Sequence, residues 1–189
     1  MNRTKRKIFE ISMELFAKKG YDATSVEEIT AVVGVAKGTL YYHFSSKENI
    51  FNFLIEEGFS LFKRSLMIKT SQARTTAEKV KAIILMQKKI VIKYENLIRM
   101  IGGQMWGNDT RSINCREQLF TYIDTIENII KEGVEKGDIT RGTSKNIATD
   151  IFGVLSDTLI DKLRTGEPVN LLEADEEFEG IVLKYGIKK

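Results

Sequence analysis

The chain has 189 residues, of which 42% are hydrophobic and 29% are charged, and its formal net charge is +3. This composition is sufficient for one or two domains with a real core, and the mild charge excess does not by itself indicate nucleic acid. A single proline argues against a loop-rich all-β chain, and a single cysteine, Cys115, excludes an intrachain disulfide framework. No apolar run approaches the roughly 18 residues of a membrane span. We expect a cytoplasmic protein that does not enter a membrane.

Apolar residues recur with helical spacing along nearly the whole chain, and no sustained period-two alternation is present. The pattern predicts an all-α fold of eight or nine helices. A first helix is predicted over about residues 5–19, with Gly20 as its C-terminal cap. Thr24 and Glu27 have the spacing of a capping box and predict the start of a second helix, and a third is predicted over about residues 36–43.

Two further capping boxes divide the rest of the chain. Ser45 and Glu48 predict the start of a long fourth helix, and the polar segment 70–76 is predicted to be a linker. Thr75 and Glu78 predict the start of a long fifth helix. The apolar stripe of that helix reaches Ile101, the pattern breaks at 102–109, and further helices are predicted over about 110–136, 143–164 and 171–185.

The segment 36–52, AKGTLYYHFSSKENIFN, has unusual surface chemistry. Two short helices joined by a tight turn, here at Gly34, are typical of a helix-turn-helix motif. Leu40 and Phe44 are expected to be core residues. Gly38 lies inside a helix at a cost of about 1 kcal/mol relative to alanine, which we interpret as room for close approach to a DNA backbone. The remaining polar and aromatic residues are Lys37, Thr39, Tyr41, Tyr42, His43 and Lys47.

Residues 20–51, GYDATSVEEITAVVGVAKGTLYYHFSSKENIF, resemble the DNA-binding domain of the TetR family of bacterial transcriptional repressors. The resemblance covers about residues 5–52, roughly a quarter of the chain, and is only architectural beyond them. It implies an N-terminal three-helix DNA-binding domain at 1–52 and a C-terminal helical ligand-binding and dimerisation domain at 53–189. The matching motif residues are Gly20-Tyr21, Thr24, Ile29, Gly34-Val35, Lys37-Gly38, Leu40-Tyr41, Tyr42-His43-Phe44 and Lys47-Glu48.

The resemblance also implies which residues contact DNA. The third helix enters the major groove in this family, and an α-helix fits that groove. Phosphate contacts fix register and affinity, whereas base contacts fix sequence preference. The implied base contacts are Lys37, Thr39 and Tyr41. The implied backbone contacts are Thr24, Tyr42, His43 and Lys47, with Gly38 allowing close approach.

Each of these assignments has a structural alternative. Tyr41 would pack on the core, His43 would make a structural hydrogen bond, and Thr24 would only cap the second helix. The basic run at residues 3–7 either adds phosphate contacts through Arg3, Lys5 and Arg6 or forms a solvated, frayed arm.

A homodimer on a palindromic double-stranded operator is a further implication of the resemblance, with the last two helices forming the interface. A stripe of mostly small residues on the 143–164 helix is compatible with close helix packing between two copies. The alternative is that this stripe faces another helix of the same subunit. Its members are Thr149, Gly153, Ser156 and Ile160.

An inducer pocket is expected in the second domain, where aromatic and methionine side chains suit an apolar ligand. Residues 63–99 hold ten basic and two acidic residues, so Lys93 or Arg99 would pair an anionic ligand if they turned inward. Inward acids such as Glu95, Glu117 or Asp124 would instead favour a cation. The candidate pocket residues, each of which is alternatively ordinary core, are Met86, Tyr94, Met100, Met105, Trp106, Phe120 and Phe152.

These observations predict a ligand-responsive transcriptional regulator, most simply a repressor that a small-molecule inducer releases from its operator. One histidine, one cysteine and no glycine-rich phosphate loop leave little for catalysis, so no enzyme, metal or cofactor is expected. Two alternatives remain open: a helical module that binds protein rather than DNA, and a regulator that no ligand controls. The sign of regulation, repression or activation, also stays open.

Overall fold

The computed structural model describes residues 2–189, and this part of the chain forms nine α-helices. The prediction of an all-α fold is confirmed. Across residues 2–189 the only extended pairing is a single bridge between Ile139 and Ile187. The helices are α1 (Arg3–Lys19), α2 (Val26–Val33), α3 (Lys37–His43), α4 (Lys47–Ser71), α5 (Thr76–Lys93), α6 (Glu95–Gln104), α7 (Thr110–Glu135), α8 (Ser144–Thr165) and α9 (Glu173–Tyr185).

Internal contacts divide the chain into two units. The first contains the residues up to Phe59 together with Glu95–Gln118, and the second contains Ser60–Tyr94 together with Leu119–Lys189. Helices α4 and α7 therefore contribute residues to both units. The functional boundary predicted between residues 52 and 53 stays a prediction. No sequence pattern indicated that α6 and the start of α7 would join the first unit.

In the first unit, α1 packs against α2 and α6. Its core is built from side chains spaced three or four residues apart, which lie on one face of each helix. Gly58 allows α4 to approach α6, because a Cβ there would lie 2.5 Å from a methyl carbon of Leu97. Core residues that are completely or almost completely buried include Ile8, Phe16, Ile29, Leu40, Phe51 and Leu54.

In the second unit, α5 packs against both α8 and α9. The hydroxyl of Thr76, at the start of α5, donates to the carboxylate of Asp138 at 2.9 Å. The chain after α9 is held in the same place, because the backbone N–H of Lys188 donates to the carbonyl of Asp138 at 2.8 Å. Completely buried side chains of this unit include Val80, Ile84, Ile126, Ile130 and Ile151.

Two predicted capping boxes are wrong by one residue. Ser25, not Thr24, caps α2 by accepting from the backbone N–H of Glu28 at 3.0 Å. Ser46, not Ser45, plays the same part for α4 and accepts from the N–H of Asn49 at 3.0 Å. At α2 the motif spacing fits either register, because Ser25 and Glu28 have it as well. At α4 the cap is Ser46 although the residue three positions later is Asn49, not a glutamate or glutamine. The capping box of Thr75 and Glu78 at α5 is confirmed.

The predicted long fifth helix is in fact two helices. Helix α5 ends at Lys93, and Tyr94 adopts φ −124° and ψ 34°, so α6 begins afresh at Glu95. No proline or glycine marks this break. The ring of Tyr94 instead packs on Phe62, with ring centroids 5.7 Å apart. The predicted linker is also shorter than expected, because α4 continues to Ser71.

Candidate functional site

Helix α3 is anchored by two apolar side chains and exposes most of the others. Leu40 is completely buried, and Phe44, which ends the helix, is 2% exposed, as expected for core residues. Tyr41 is 43% exposed, so the alternative that it packs in the core is disfavoured. His43 is half-buried beside Tyr42, with ring centroids 5.1 Å apart. The side chains that α3 presents to solvent are Lys37, Thr39, Tyr41 and Tyr42, the last 85% exposed.

Gly38 has no structural reason to be glycine within the described chain. No atom of residues 2–189 lies within 4 Å of the position that a Cβ would occupy, apart from the neighbours along its own helix. Its backbone is not among those with a positive φ. Glycine inside a helix costs about 1 kcal/mol relative to alanine. The missing side chain therefore leaves open space on the outer surface of α3, where another molecule's backbone can come close.

Lys37 is held by a carboxylate on α2. Its ammonium donates to Glu27, and both side chains are more than half exposed. This hydrogen bond raises the pKa of Lys37 and lowers the pKa of Glu27. Both groups are thus firmly charged at neutral pH. An exposed pair of this kind is readily exchanged, so Lys37 can leave Glu27 for a stronger anion.

Lys47 fastens the loop between α1 and α2. Its ammonium donates to the carbonyl oxygens of Tyr21 and Thr24, each at 2.9 Å, and lies 4.2 Å from the centre of the Tyr21 ring. An ammonium has three donors, so one remains for a phosphate. The position has a structural role that the sequence interpretation did not include.

Thr24 does not have the surface position expected of a phosphate contact. It is 1% exposed, and its hydroxyl donates to the carbonyl of Gly20 at 2.8 Å. This internal hydrogen bond closes the loop and leaves capping to Ser25. We therefore do not retain the hydroxyl of Thr24 as a DNA contact, and Ser25 is the exposed side chain at the start of α2.

A second side chain from far along the sequence fastens the same loop. The guanidinium of Arg111, in the first turn of α7, lies 3.7 Å above the centre of the Tyr21 ring. It also contacts the carboxylates of Asp109 at 3.0 Å and Asp22 at 3.5 Å. Asp109 accepts a backbone hydrogen bond from Ser112 and one from Arg111, which together lower its pKa to about 2. We call Tyr21, Lys47 and Arg111 the loop clamp.

The basic residues at the N-terminus are largely part of the fold and not a frayed arm. Residues from Arg3 onward are helical, with Asn2 as the cap. Lys5 lies 4.2 Å from the centre of the Phe53 ring. Lys7 donates to the carbonyl of Val33 at 2.7 Å. Among the residues proposed for an arm, Arg3 and Arg6 remain exposed.

The interior of the second unit contains a polar pair that the sequence interpretation missed. Gln87 is completely buried on α5, and Tyr122 is 1% exposed on α7. The two side chains interact, and burial raises the pKa of the tyrosine hydroxyl. No hydrogen bond of good geometry reaches either amide atom of Gln87 from the described residues. Phe62 and Phe152 each lie with ring centroids 6.4 Å from the Tyr122 ring. A polar amide in such an apolar setting is suited to fixing a ligand's orientation.

Lys88 is the cation that turns inward, rather than Lys93 or Arg99, which are both exposed. Its ammonium pairs with Glu177 at 2.9 Å and with Glu173 at 3.3 Å. Burial raises the pKa of Glu177, and the Lys88 ammonium opposes that rise. Lys88 lines an open cleft of about 640 Å³ beside α8, the α8–α9 loop and the start of α9.

The predicted pocket residues do not form one group. Trp106 is 93% exposed and Phe120 is 57% exposed, which contradicts their place in an enclosed pocket. Met100, Met105 and Trp106 belong to the first unit, because the segment that carries them packs with α1 instead of α5. The predicted residues that remain in the second unit, buried or half-buried, are Met86, Tyr94 and Phe152.

The predicted dimer stripe lies at the surface of α8. Thr149 is exposed, Gly153 and Ser156 are half-buried, and Ile160 is 61% exposed. No described atom comes within 4 Å of a Cβ built on Gly153, outside its own helical turn. The stripe therefore does not face another helix of the same subunit closely at this point. Further exposed apolar side chains of α8, α9 and the loop between them are Leu163, Leu172 and Leu183.

Three further findings concern metal ions, membranes and the single thiol. In residues 2–189, no three His, Cys, Asp or Glu side chains are grouped so that they would hold a metal ion. None of the helices in this range is long and apolar enough to cross a membrane. Cys115 is completely buried, and burial raises the pKa of its thiol to about 12, which makes it a poor nucleophile.

A short helix fixed by an apolar base, with its basic and aromatic residues turned to solvent, defines a helix-turn-helix regulator. The family of bacterial regulatory proteins of the tetR type matches residues 8–54. A solved structure from Clostridium perfringens, described as a fatty acid metabolism regulator, is 34% identical and covers 96% of this chain and 100% of its own, with a TM-score of 0.88. The chain belongs to the TetR family of transcriptional regulators.

Two further matches, one to a curated protein and one to a solved structure, come from Bacillus subtilis. The fatty acid metabolism regulator protein is 27% identical over 154 residues, which are 80% of this chain and 79% of that protein. The structure of the regulator FadR in complex with stearoyl-CoA is 24% identical, covers 94% of this chain and 97% of its own, and has a TM-score of 0.83. The second similarity shows the fold alone. Both are described as regulators.

Proposed function

We propose that the protein binds a palindromic DNA operator as a homodimer and represses transcription until a fatty acyl compound releases it. The observation that carries the DNA-binding part is the outer surface of α3. Lys37, Thr39, Tyr41 and Tyr42 are exposed there around Gly38, and no contact within residues 2–189 explains why this position has no side chain. An α-helix with such a surface fits the major groove.

Two groups of residues make different contacts with DNA. Lys37, Thr39 and Tyr41 read base edges, and Lys37 exchanges Glu27 for an acceptor on a base. Tyr42, His43 and the remaining donor of Lys47 contact the backbone, and Gly38 lets the phosphates approach. The loop clamp supports this arrangement, because it fixes the loop that leads to the exposed Ser25 at the start of α2.

The dimer forms through α8 and α9. Isolated exposed apolar residues are common, but here several lie on two consecutive helices of one unit, including Ile160, Leu163 and Leu183. A stripe with Gly153 and Ser156 supports close packing against a second copy. In the dimer, the two α3 helices then meet successive major grooves about 34–36 Å apart.

The effector is a fatty acyl compound that binds in the second unit. Two relatives are described as fatty acid metabolism regulators, and a B. subtilis protein of the same fold was solved with stearoyl-CoA. Gln87, with the aromatic side chains around Tyr122, supplies one polar anchor in an apolar interior. Because α4 and α7 contribute to both units, a ligand that prefers one arrangement of these helices shifts the population towards it.

The DNA-binding part is tested by selecting bound sequences from a random duplex pool at two salt concentrations. We expect a palindrome, with affinity that falls steeply as salt rises. On the recovered operator and a scrambled one, Lys37→Ala should weaken mainly specific binding, whereas Lys47→Ala should weaken both. Lys93→Ala, at the exposed end of α5, is the matched control. Failure to enrich any duplex would favour the alternative of a protein-binding module.

The effector part is tested by adding dodecanoyl-CoA, dodecanoate or free coenzyme A to the complex of protein and operator. We expect release by an acyl compound and not by coenzyme A alone. Unchanged operator affinity in every case would indicate a regulator that fatty acyl compounds do not control. Reporter transcription with and without the protein would decide between repression and activation.

A further inference from the structure

The cations of α5 fall into two groups with different surroundings. Lys79 pairs with Glu132 at 2.8 Å, Lys81 pairs with Asp175 at 2.7 Å, and Lys88 is buried between two glutamates. Lys89, the next residue, is exposed and makes no ion pair with any residue of the described chain. Acids of α7 and α9 thus neutralise three lysines of α5, whereas the positive charge of Lys89 is left uncompensated.

Lys89 lies at the edge of a surface groove of about 300 Å³ between the end of α4 and α5. Lys69, which lines the groove from α4, is also exposed and has no ion-pair partner among residues 2–189. Two uncompensated ammonium groups therefore border one cavity. The apolar residues that line it are Ala73, Ala82, Leu85 and Met86.

This combination of groups selects one class of ligand. An apolar surface favours alkyl groups, whereas two unpaired ammonium groups favour a phosphate or carboxylate. A neutral apolar molecule would leave the lysines unused, and a cationic amphiphile would be repelled by them. Met86 is 6% exposed, and its unbranched thioether side chain can adapt to a chain of variable shape.

We propose that this groove binds an amphipathic anion, with the anionic head between Lys69 and Lys89 and the adjoining methylene groups over Leu85 and Met86. A volume of about 300 Å³ is at the lower end of ligand sites, so the groove holds part of a long-chain compound. The effect of such binding on DNA rests on the proposed function, whereas the binding itself does not.

The test is isothermal titration calorimetry, in which the full-length protein is titrated with dodecyl phosphate or dodecanoate at low and at moderate salt. We expect both anions to bind and dodecyltrimethylammonium not to bind. Lys69→Gln/Lys89→Gln should weaken binding of dodecyl phosphate about tenfold and reduce its salt dependence, since two exposed ion pairs are lost. Lys63→Gln/Lys93→Gln removes the same charge from lysines that are outside the groove and have no ion pair in the described chain, and should have no effect.

The apolar part is tested separately with Leu85→Asn. This change should weaken the binding of dodecyl phosphate but leave the much weaker binding of inorganic phosphate unchanged. Because all substituted residues are exposed or half-exposed, thermal unfolding should be close to that of the wild type. Equal affinity of the wild type and Lys69→Gln/Lys89→Gln for dodecyl phosphate would overturn the proposal, as would binding to phosphatidylglycerol vesicles without binding of the monomeric probes.

The same variants separate this inference from the proposed function. If dodecanoyl-CoA releases the operator equally from the wild type and from Lys69→Gln/Lys89→Gln, the effector proposal stands and the groove is not its site. If dodecyl phosphate binds in the groove but no acyl compound releases the operator, the groove is a ligand site and the proposed effector is wrong.

Discussion

Helices α3 and α5 both carry basic residues, but the surroundings of these residues differ. On α3, Lys37 is exposed and has one exchangeable carboxylate beside it, and the neighbouring aromatic side chains point to solvent. On α5, Lys88 is buried and fixed by two glutamates of α9. The difference shows that basic residues of one chain can serve binding or folding, and that the nearest acids distinguish the two uses better than the local net charge does.

The strongest test of this comparison removes the acids around Lys88. Glu173→Gln/Glu177→Gln leaves a buried ammonium without a counter-charge, so we expect a loss of about 3–5 kcal/mol in the free energy of unfolding. Chemical denaturation measures it. Adding Lys88→Met should recover most of that loss, because the buried charge is then gone. A double variant as stable as the wild type would show that the pairing on α5 contributes nothing to folding.

The second-largest expected loss of stability follows from a change in the loop clamp. Arg111→Met removes the guanidinium from the Tyr21 ring and from two aspartates, which we expect to cost about 1–2 kcal/mol in stability. Operator affinity should fall as well, because the loop before α2 loses one of its two fasteners. Arg64→Met is the matched control, since Arg64 is exposed and has no ion pair in residues 2–189. Loss of stability with unchanged operator affinity would limit the clamp to a structural role.

Gly38→Ala separates stability from binding within α3. The free energy of unfolding should rise by about 1 kcal/mol, because alanine is the better helix former and the Cβ meets no neighbour. Operator binding should weaken, because the added methyl group stands where the DNA backbone approaches. Thermal unfolding and mobility shifts on the same preparation measure both. A variant that is stabilised and binds DNA normally would remove Gly38 from the proposed surface.

The smallest effect is expected at the exposed carboxylate beside Lys37. Glu27→Gln releases Lys37 and removes a negative charge from the surface that faces DNA, so operator affinity should rise about two- to five-fold at low salt. The gain should shrink at high salt. Glu10→Gln, an exposed acid of α1 without an ion pair in the described chain, is the control. Weaker binding of Glu27→Gln would mean that the carboxylate positions Lys37.

Features that depend on near neighbours in the sequence were predicted better than features that depend on distant parts of the chain. Local motifs such as Gly34, the buried Leu40 and the polar face of α3 depend on neighbours a few residues away. Other features depend on partners far along the chain and leave no local signal. Arg111 meets Tyr21 only in the fold, and the break at Tyr94 has neither glycine nor proline. The exposure of Trp106 was also missed, because the prediction rested on its aromatic character alone, which favours burial.

The burial of Cys115 has a practical consequence for spectroscopy. Because burial raises the pKa of its thiol to about 12, Cys115 carries almost no reactive thiolate at neutral pH. A maleimide or nitroxide reagent should therefore leave the native cysteine unmodified and react only with a cysteine that is introduced at the surface. With Glu10→Cys on the exposed side of α1, each subunit would carry a single label without any change to its own thiol. The distance between two such labels in a dimer, measured with and without dodecanoyl-CoA, would then report the separation of the two DNA-binding units.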